Sequence, residues 1–202
     1  MSYSDFSVEN LKERFHLQLD EKMDLFGTIA PVEISALLRD TLAESVPLAL
    51  AISTEKARSE LIIVPVLLEA RRQVKQPISL FSGVDFTVEA EQGLSGVCDY
   101  LLSRSAEQLT IEAPVVAVVE AKNENMKAGI GQCLAELVAV RLFNQRKGLE
   151  LSAVYGAVTT GNNWKFLRLA GDTANVDLTE YHIKEVGRIV GILAAMLQGM
   201  VT

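Results

Sequence analysis

Cysteine and histidine are scarce in this chain of 202 residues, with two of each. Cys98 and Cys133 lie far apart, and no CxxC or Cys/His spacing suited to zinc is present, so a zinc-stabilised fold is excluded. Both cysteines sit among apolar residues, which reads as free core thiols in a reducing, cytoplasmic setting. No secretory leader is expected either, since MSYSDFSVENLKERF has neither a basic start nor an apolar stretch. The longest apolar runs, 113–119 and 189–197, are too short to span hydrocarbon, so no membrane is expected. Positive charge is the minority sign. Nineteen Lys and Arg against 26 Asp and Glu leave a net −7, which excludes a polybasic binder while leaving room for a local basic cleft. Nucleic-acid affinity would then be modest and salt-dependent. GxxxxGK[ST] is absent and no GxGxxG follows a strand, which disfavours P-loop and dinucleotide folds.

What is present is a globular composition, 49% hydrophobic and 22% charged, with a mean hydropathy of +0.23. A chain of this size can bury a core without disulfides. The positive hydropathy calls for a dense core or a buried oligomer interface, and with the apolar segment 180–200 it suggests a homodimer.

Residues 5–19 read as a short amphipathic helix capped by Asp5 or Ser7. A second helix starts at Pro31, with Ile34, Leu37, Leu38 and Leu42 at helical spacing. A third runs over 53–74, where Pro65 implies a kink or a fresh start. The texture then turns to strands at 78–90 and 94–104, around the turn 91–93, and these form a hairpin. The run VVAVVEAK, 115–122, is apolar on both alternating faces until Glu120 and reads as a central strand. A long helix over 127–146, strands at 151–159 and 164–170, and a closing helix from Glu180 complete the chain. The expected fold is a single α/β domain over 1–202: a helical N-terminal layer (1–50), a core (54–170) with a mixed sheet, and the closing helix 180–201. The helix between the strands at 115–122 and 151–159 serves as a crossover.

The chemistry-bearing residues stand at the end of the central strand. Positions i and i+2 of a strand share a face, so Glu120 and Lys122 project together. Charges at the end of a buried strand are costly unless paired or used. Asp99 is a further charge in an apolar strand, VCDYLL, twenty-one residues earlier. With the two strands adjacent in suitable register, Asp99 and Glu120 meet with Lys122 beside them. Two such carboxylates make a hard, oxygen-only site suited to Mg²⁺, with Mn²⁺ as a substitute. A neighbouring ammonium can orient a water or neutralise charge developing on a phosphate.

Asp99 followed by Glu120-Ala121-Lys122 resembles the PD-(D/E)XK nuclease superfamily, whose restriction-endonuclease-like core order, αβββαβ, matches the order read over residues 54–159. The stretch from 55 to 170 is also similar in texture to small nuclease-like proteins of bacteria, cyanobacteria especially, through EAKNEN and GAVTTGNNWKFL. Cys98 stands where the superfamily's name has Pro. The resemblance implies that Asp99 and Glu120 bind the metal with the Ala121 carbonyl, and that Lys122 sits at the attacking water. It further implies that a helical Glu, Glu60 in preference to Glu55, completes the set, and that Gln132 joins the site from the following helix. The implied function is metal-dependent hydrolysis of phosphodiester bonds in nucleic acid, with DNA as the first expectation. The alternative is a nuclease-fold protein acting as a non-catalytic binding or regulatory subunit. Each residue also has a plainer reading. Glu120–Lys122 can be an exposed ion pair, Asp99 a carboxylate tied to backbone N–H groups, and Glu60 a solvated helix position. Trp164-Lys165-Phe166 can stack on bases or simply pack. Lys127, Arg141, Arg146 and Lys147 can track phosphates, or Arg141 can pair with Glu136 or Glu44.

Overall fold

The computed structural model describes residues 1–200, and Val201, the last residue of the expected closing helix, lies outside them. In chain order the elements are α1 (Val8–Phe15), β1 (Gln18–Asp20), α2 (Ala36–Ile52), α3 (Glu55–Arg58), a π-helical turn (Ser59–Ile63), α4 (Val64–Arg72), β2 (Ser79–Asp85), β3 (Val97–Ser103), β4 (Val115–Ala121), α5 (Met126–Arg146), β5 (Val154–Thr159), β6 (Asn163–Ala170), β7 (Thr173–His182) and α6 (Val186–Gln198). The seven strands make one mixed sheet in the order β1-β7-β6-β5-β4-β3-β2. Only β4–β5 and β1–β7 run parallel, and α5 is the connection that the first of these pairs requires.

Both faces of the sheet are covered. One core joins α2, α4 and α6 to the sheet through Leu38, Ile63, Leu67, Tyr155, Trp164 and Ile189. The other joins α1 and α5 through Leu11, Leu134, Leu137, Val118 and Val158. Every residue of β4 is buried, as its uninterrupted Val/Ala pattern foretells. The positive hydropathy is thereby accounted for within one chain. Ile189, Val190, Ile192, Leu193, Met196 and Leu197 of α6 are all buried, each contributing about 1.5–3 kcal/mol. The apolar segment behind the expected homodimer is therefore spent on the chain's own core.

Three expectations need correction. The N-terminal layer is not wholly helical: α1 stops at Phe15 and Gln18–Asp20 pairs with β7. The second helix begins at Ala36, not at Pro31, because Ser35 caps it by accepting from Leu38 N at 3.1 Å. Residues 173–182 are a strand, so the closing helix starts at Val186.

Pro65 acts as the sequence suggests and adds a detail. It has no N–H for the carbonyl of Leu61, and its ring crowds that carbonyl. A π-helical turn precedes it, and Leu61 O accepts from Ser45 Oγ of α2 at 2.6 Å instead.

Asp177 ties the segment after β1 to the sheet. Its carboxylate accepts from Leu25 N at 2.9 Å, from Tyr181 Oη at 3.1 Å and from Thr179 N at 3.4 Å. Burial raises its pKa from the ordinary aspartate value, and those hydrogen bonds partly offset the rise. Asp177→Ala is expected to destabilise the chain by about 1.5–3 kcal/mol, since buried donors lose a charged acceptor. Urea unfolding should show a lower midpoint at an unchanged m-value, and an unaltered midpoint would remove this anchoring role.

Candidate functional site

Antiparallel pairing of β3 with β4 sets Leu102 against Ala117, Leu101 against Val118 and Tyr100 against Val119. One step further along come Asp99 on β3 and Glu120 on β4. There the backbone pairing ends and a side chain takes over, with Ala121 N donating to Asp99 Oδ2 at 2.8 Å. On the other side β5 continues to hold the chain: Ala121 pairs with Thr159, and Lys122 N donates to Thr159 O at 2.8 Å. Lys122 is thus fixed by backbone although it lies just beyond β4.

Lys122 Nζ donates to Glu120 Oε1 and, at 3.1 Å, to Gln132 Oε1 of α5. Gln132 Nε2 donates in turn to Glu136 Oε1 at 3.1 Å. Glu120 is 1% exposed and Glu136 is 0% exposed, and each keeps a buried Oε2 that no N–H or hydroxyl reaches, the two carboxyls lying within hydrogen-bond reach of each other. This is not the exposed ion pair of the plainer reading.

The electrostatics follow from the burial. Burial first, then the charge of Asp99, pushes Glu120 up to about 7, with Lys122 pulling the other way. Glu136 is raised well above the carboxylate range by burial and then by the charge of Glu120. Burial alone would lower Lys122, but the hydrogen bond and charge of Glu120, helped by Asp99 and Glu55, outweigh it and leave Lys122 raised. Lys122 is therefore a cation at neutral pH, equipped to stabilise negative charge and not to accept a proton.

Asp99 also opens onto a cavity of about 240 Å³, with Glu55, Ser59, Glu60, Ser82 and Tyr100 among its lining residues. Glu60 reaches this cavity from the π-helical turn, but its carboxylate is held by Lys56 at 2.7 Å, in a pair whose side chains are 81% and 59% exposed. The expected ligand set of Asp99, Glu120, Ala121 and Glu60 is thus not preassembled, and among the described residues no group of three or more His, Cys, Asp or Glu is arranged to hold a metal. Mg²⁺ commonly uses one or two carboxylates and keeps several waters. The donor chemistry of Asp99 and Glu120 fits that pattern, and the buried Glu120 Oε2, which no N–H reaches, is an acceptor of the right kind.

Family models, curated proteins and solved structures offer no match to this chain.

Other expected contacts dissolve on inspection. Trp164 and Phe166 are buried and stack on each other with centroids 6.3 Å apart, while the indole N–H donates to Gly161 O at 3.1 Å. Lys165 Nζ donates to Leu178 O at 3.1 Å. The aromatic pair is a core element, not a base-stacking platform. On α5, Arg141 pairs with Asp172 at 3.1 Å, not with Glu136 or Glu44, and Arg146 pairs with Glu89. Lys147 sits 5.9 Å from the Phe143 ring centroid. Cys98 and Cys133 are free and buried, as expected, and burial raises the pKa of both thiols.

Glu136 is the residue the sequence reading placed wrongly, as a possible partner of Arg141. The available signal was its spacing: it follows Gln132 by four positions inside the apolar run CLAELVAV, which puts the two on one helix face.

Proposed function

We propose that the chain is a Mg²⁺-dependent nuclease of the PD-(D/E)XK type, with a restriction-endonuclease-like core. The observation that carries this reading is a lysine ammonium held between Glu120 and Gln132 at the end of a buried strand, beside Asp99. The order of helix, three antiparallel strands, crossover helix and parallel fourth strand supports the same assignment. Asp99 and Glu120 would hold the ion, which would polarise a phosphodiester and make water nucleophilic at neutral pH. Lys122 supplies a fixed positive charge to the developing phosphorane, Gln132 holds that ammonium in place, and the apolar walls of β3 and β4 keep the local dielectric low.

Incubation with single-stranded, duplex and branched DNA and with RNA tests this, in Mg²⁺ or Mn²⁺ against chelator. Cleavage of at least one substrate only with metal is expected. No cleavage of any substrate, together with a melting temperature indifferent to metal, would leave the second reading, a non-catalytic binding or regulatory subunit. One observation favours that second reading: Arg141 and Arg146 are already engaged by Asp172 and Glu89, which leaves α5 short of cations for a phosphate backbone.

A further inference from the structure

We propose that Glu136, together with Gly129, makes α5 a template that positions the Lys122 ammonium, Glu136 acting as a positioning residue through Gln132. The inference deepens the nuclease reading, on which the importance of Lys122 rests, but its geometry stands apart from that reading.

A carboxamide has one donor end and one acceptor end, and rotating it by half a turn exchanges them. Lys122 Nζ can only donate, so it needs Gln132 Oε1. The opposite end must then find an acceptor for Nε2, and Glu136 Oε1 is that acceptor, at 3.1 Å. Glu136 thereby holds the amide from its far end and keeps the oxygen turned toward the ammonium. The i, i+4 spacing of Gln132 and Glu136 stacks them on one face of the helix. Glu136 is fully buried, and among the described residues no cation pairs with it. A carboxyl group placed there is costly to folding, and its two partners, Gln132 and the Glu120 carboxyl, both belong to the group around Lys122, so a role in the site explains its presence.

Gly129, three positions before Gln132, supplies the second and independent observation. A Cβ at this position would lie 3.0 Å from Lys122 Cγ and 3.3 Å from Lys122 Cε, besides 2.6 Å from Val158 Cγ1. The aliphatic stem of Lys122 therefore crosses α5 in the notch that this glycine leaves, and the ammonium arrives at Gln132 and Glu120. Glycine within a helix costs about 1 kcal/mol relative to alanine, a cost the close passage of Lys122 explains. Three positions on one helix, 129, 132 and 136, thus guide the stem, meet the head and orient the group that meets it.

The test reads Lys122 itself, so it does not depend on cleavage. In protein labelled with ¹⁵N-lysine, wild type should show one slowly exchanging, hydrogen-bonded ammonium signal, assigned to Lys122 by its loss in Lys122→Arg. Glu136→Leu and Gln132→Ala should each abolish that signal, while Glu136→Gln, which keeps an acceptor oxygen, should restore it. Circular dichroism establishes that each variant is folded. Should Glu136→Leu fail to fold, Gln132→Ala and Glu136→Gln decide the matter by themselves. A signal that persists in Gln132→Ala, or is absent from wild type, overturns the proposal. Cleavage assays on the same variants separate the two readings: loss of about 10–100-fold in Gln132→Ala is expected if the nuclease reading holds, whereas no cleavage even by wild type, with the ammonium signals behaving as stated, defeats the nuclease reading and leaves the template intact.

Discussion

Replacing Lys122 with alanine should lower metal-dependent cleavage by about 10²–10³-fold, the usual effect of deleting one preorganised charge from a hydrolytic site. The loss should fall on kcat with little change in KM, because the ammonium is aimed at charge that exists only in the transition state. Lys122→Arg should restore little of it. A planar guanidinium cannot replace a point charge whose stem passes through the Gly129 notch and whose head meets Glu120 and Gln132 from different sides. Glu120→Ala should be at least as damaging, since it removes both a proposed metal ligand and the main partner of Lys122. Neither variant should unfold, because the backbone at 120–122 is held by β5 through Ala121 opposite Thr159 and Lys122 N on Thr159 O. Single-turnover kinetics with saturating Mg²⁺, run beside melting curves, make the measurement. Cleavage that survives both Lys122→Ala and Glu120→Ala would belong to another site or to a contaminant.

The elements easiest to read from sequence were those whose burial is uniform. β4 carries five consecutive Val or Ala residues before Glu120, and α5 a long apolar face, so both lie where expected. β7 was misread because its buried positions include Asn175 and Asp177, polar residues that burial normally excludes. Asp177 is satisfied by Leu25, Thr179 and Tyr181, partners no local pattern reveals. β1 is three residues long, too short to display a period of two. At the site, spacing and resemblance single out Asp99, Glu120, Lys122 and Gln132; hydrogen bonds join Lys122 to Glu120 and Gln132, while Asp99 accepts from Ala121 N. Glu60 is preferred to Glu55 because it lies nearer the strands in sequence, a criterion blind to Lys56 one turn before it. Glu136 enters the sequence reading only as a partner for Arg141, and the tertiary packing of α5 on β4 and β5 buries it beside Gln132 instead.

Glu120→Gln should raise the melting temperature in chelator at pH 8 and flatten its dependence on pH. The free Glu120 carboxyl has an ordinary value of 4.5 and is pushed up to about 7 in the folded chain by burial and by Asp99. A raised value means the folded state holds the proton more tightly than the unfolded one. The stabilising contribution is therefore complete below the unfolded value and disappears as pH rises through the folded one. Wild type in chelator should accordingly lose stability between about pH 4.5 and 7 and level off above. Each unit of upward shift corresponds to about 1.4 kcal/mol, or roughly 3–5 °C of melting temperature in a chain of this length. Gln cannot ionise but keeps an oxygen for Lys122, so the variant escapes that loss, and the slope it retains belongs to the other shifted carboxyls, Glu136 and Asp177 among them. Divalent metal should reverse the order. Mg²⁺ at ten times its dissociation constant stabilises the protein that binds it by about 1.4 kcal/mol, while a variant with a neutral amide in place of a ligand gains little. Melts of both proteins at pH 8, each with chelator and with millimolar Mg²⁺ or Mn²⁺, distinguish the cases. A Glu120→Gln protein less stable than wild type in chelator, with neither protein responding to metal, would make Glu120 and Lys122 a structural ion pair and remove the electrostatic basis for a metal site between Asp99 and Glu120.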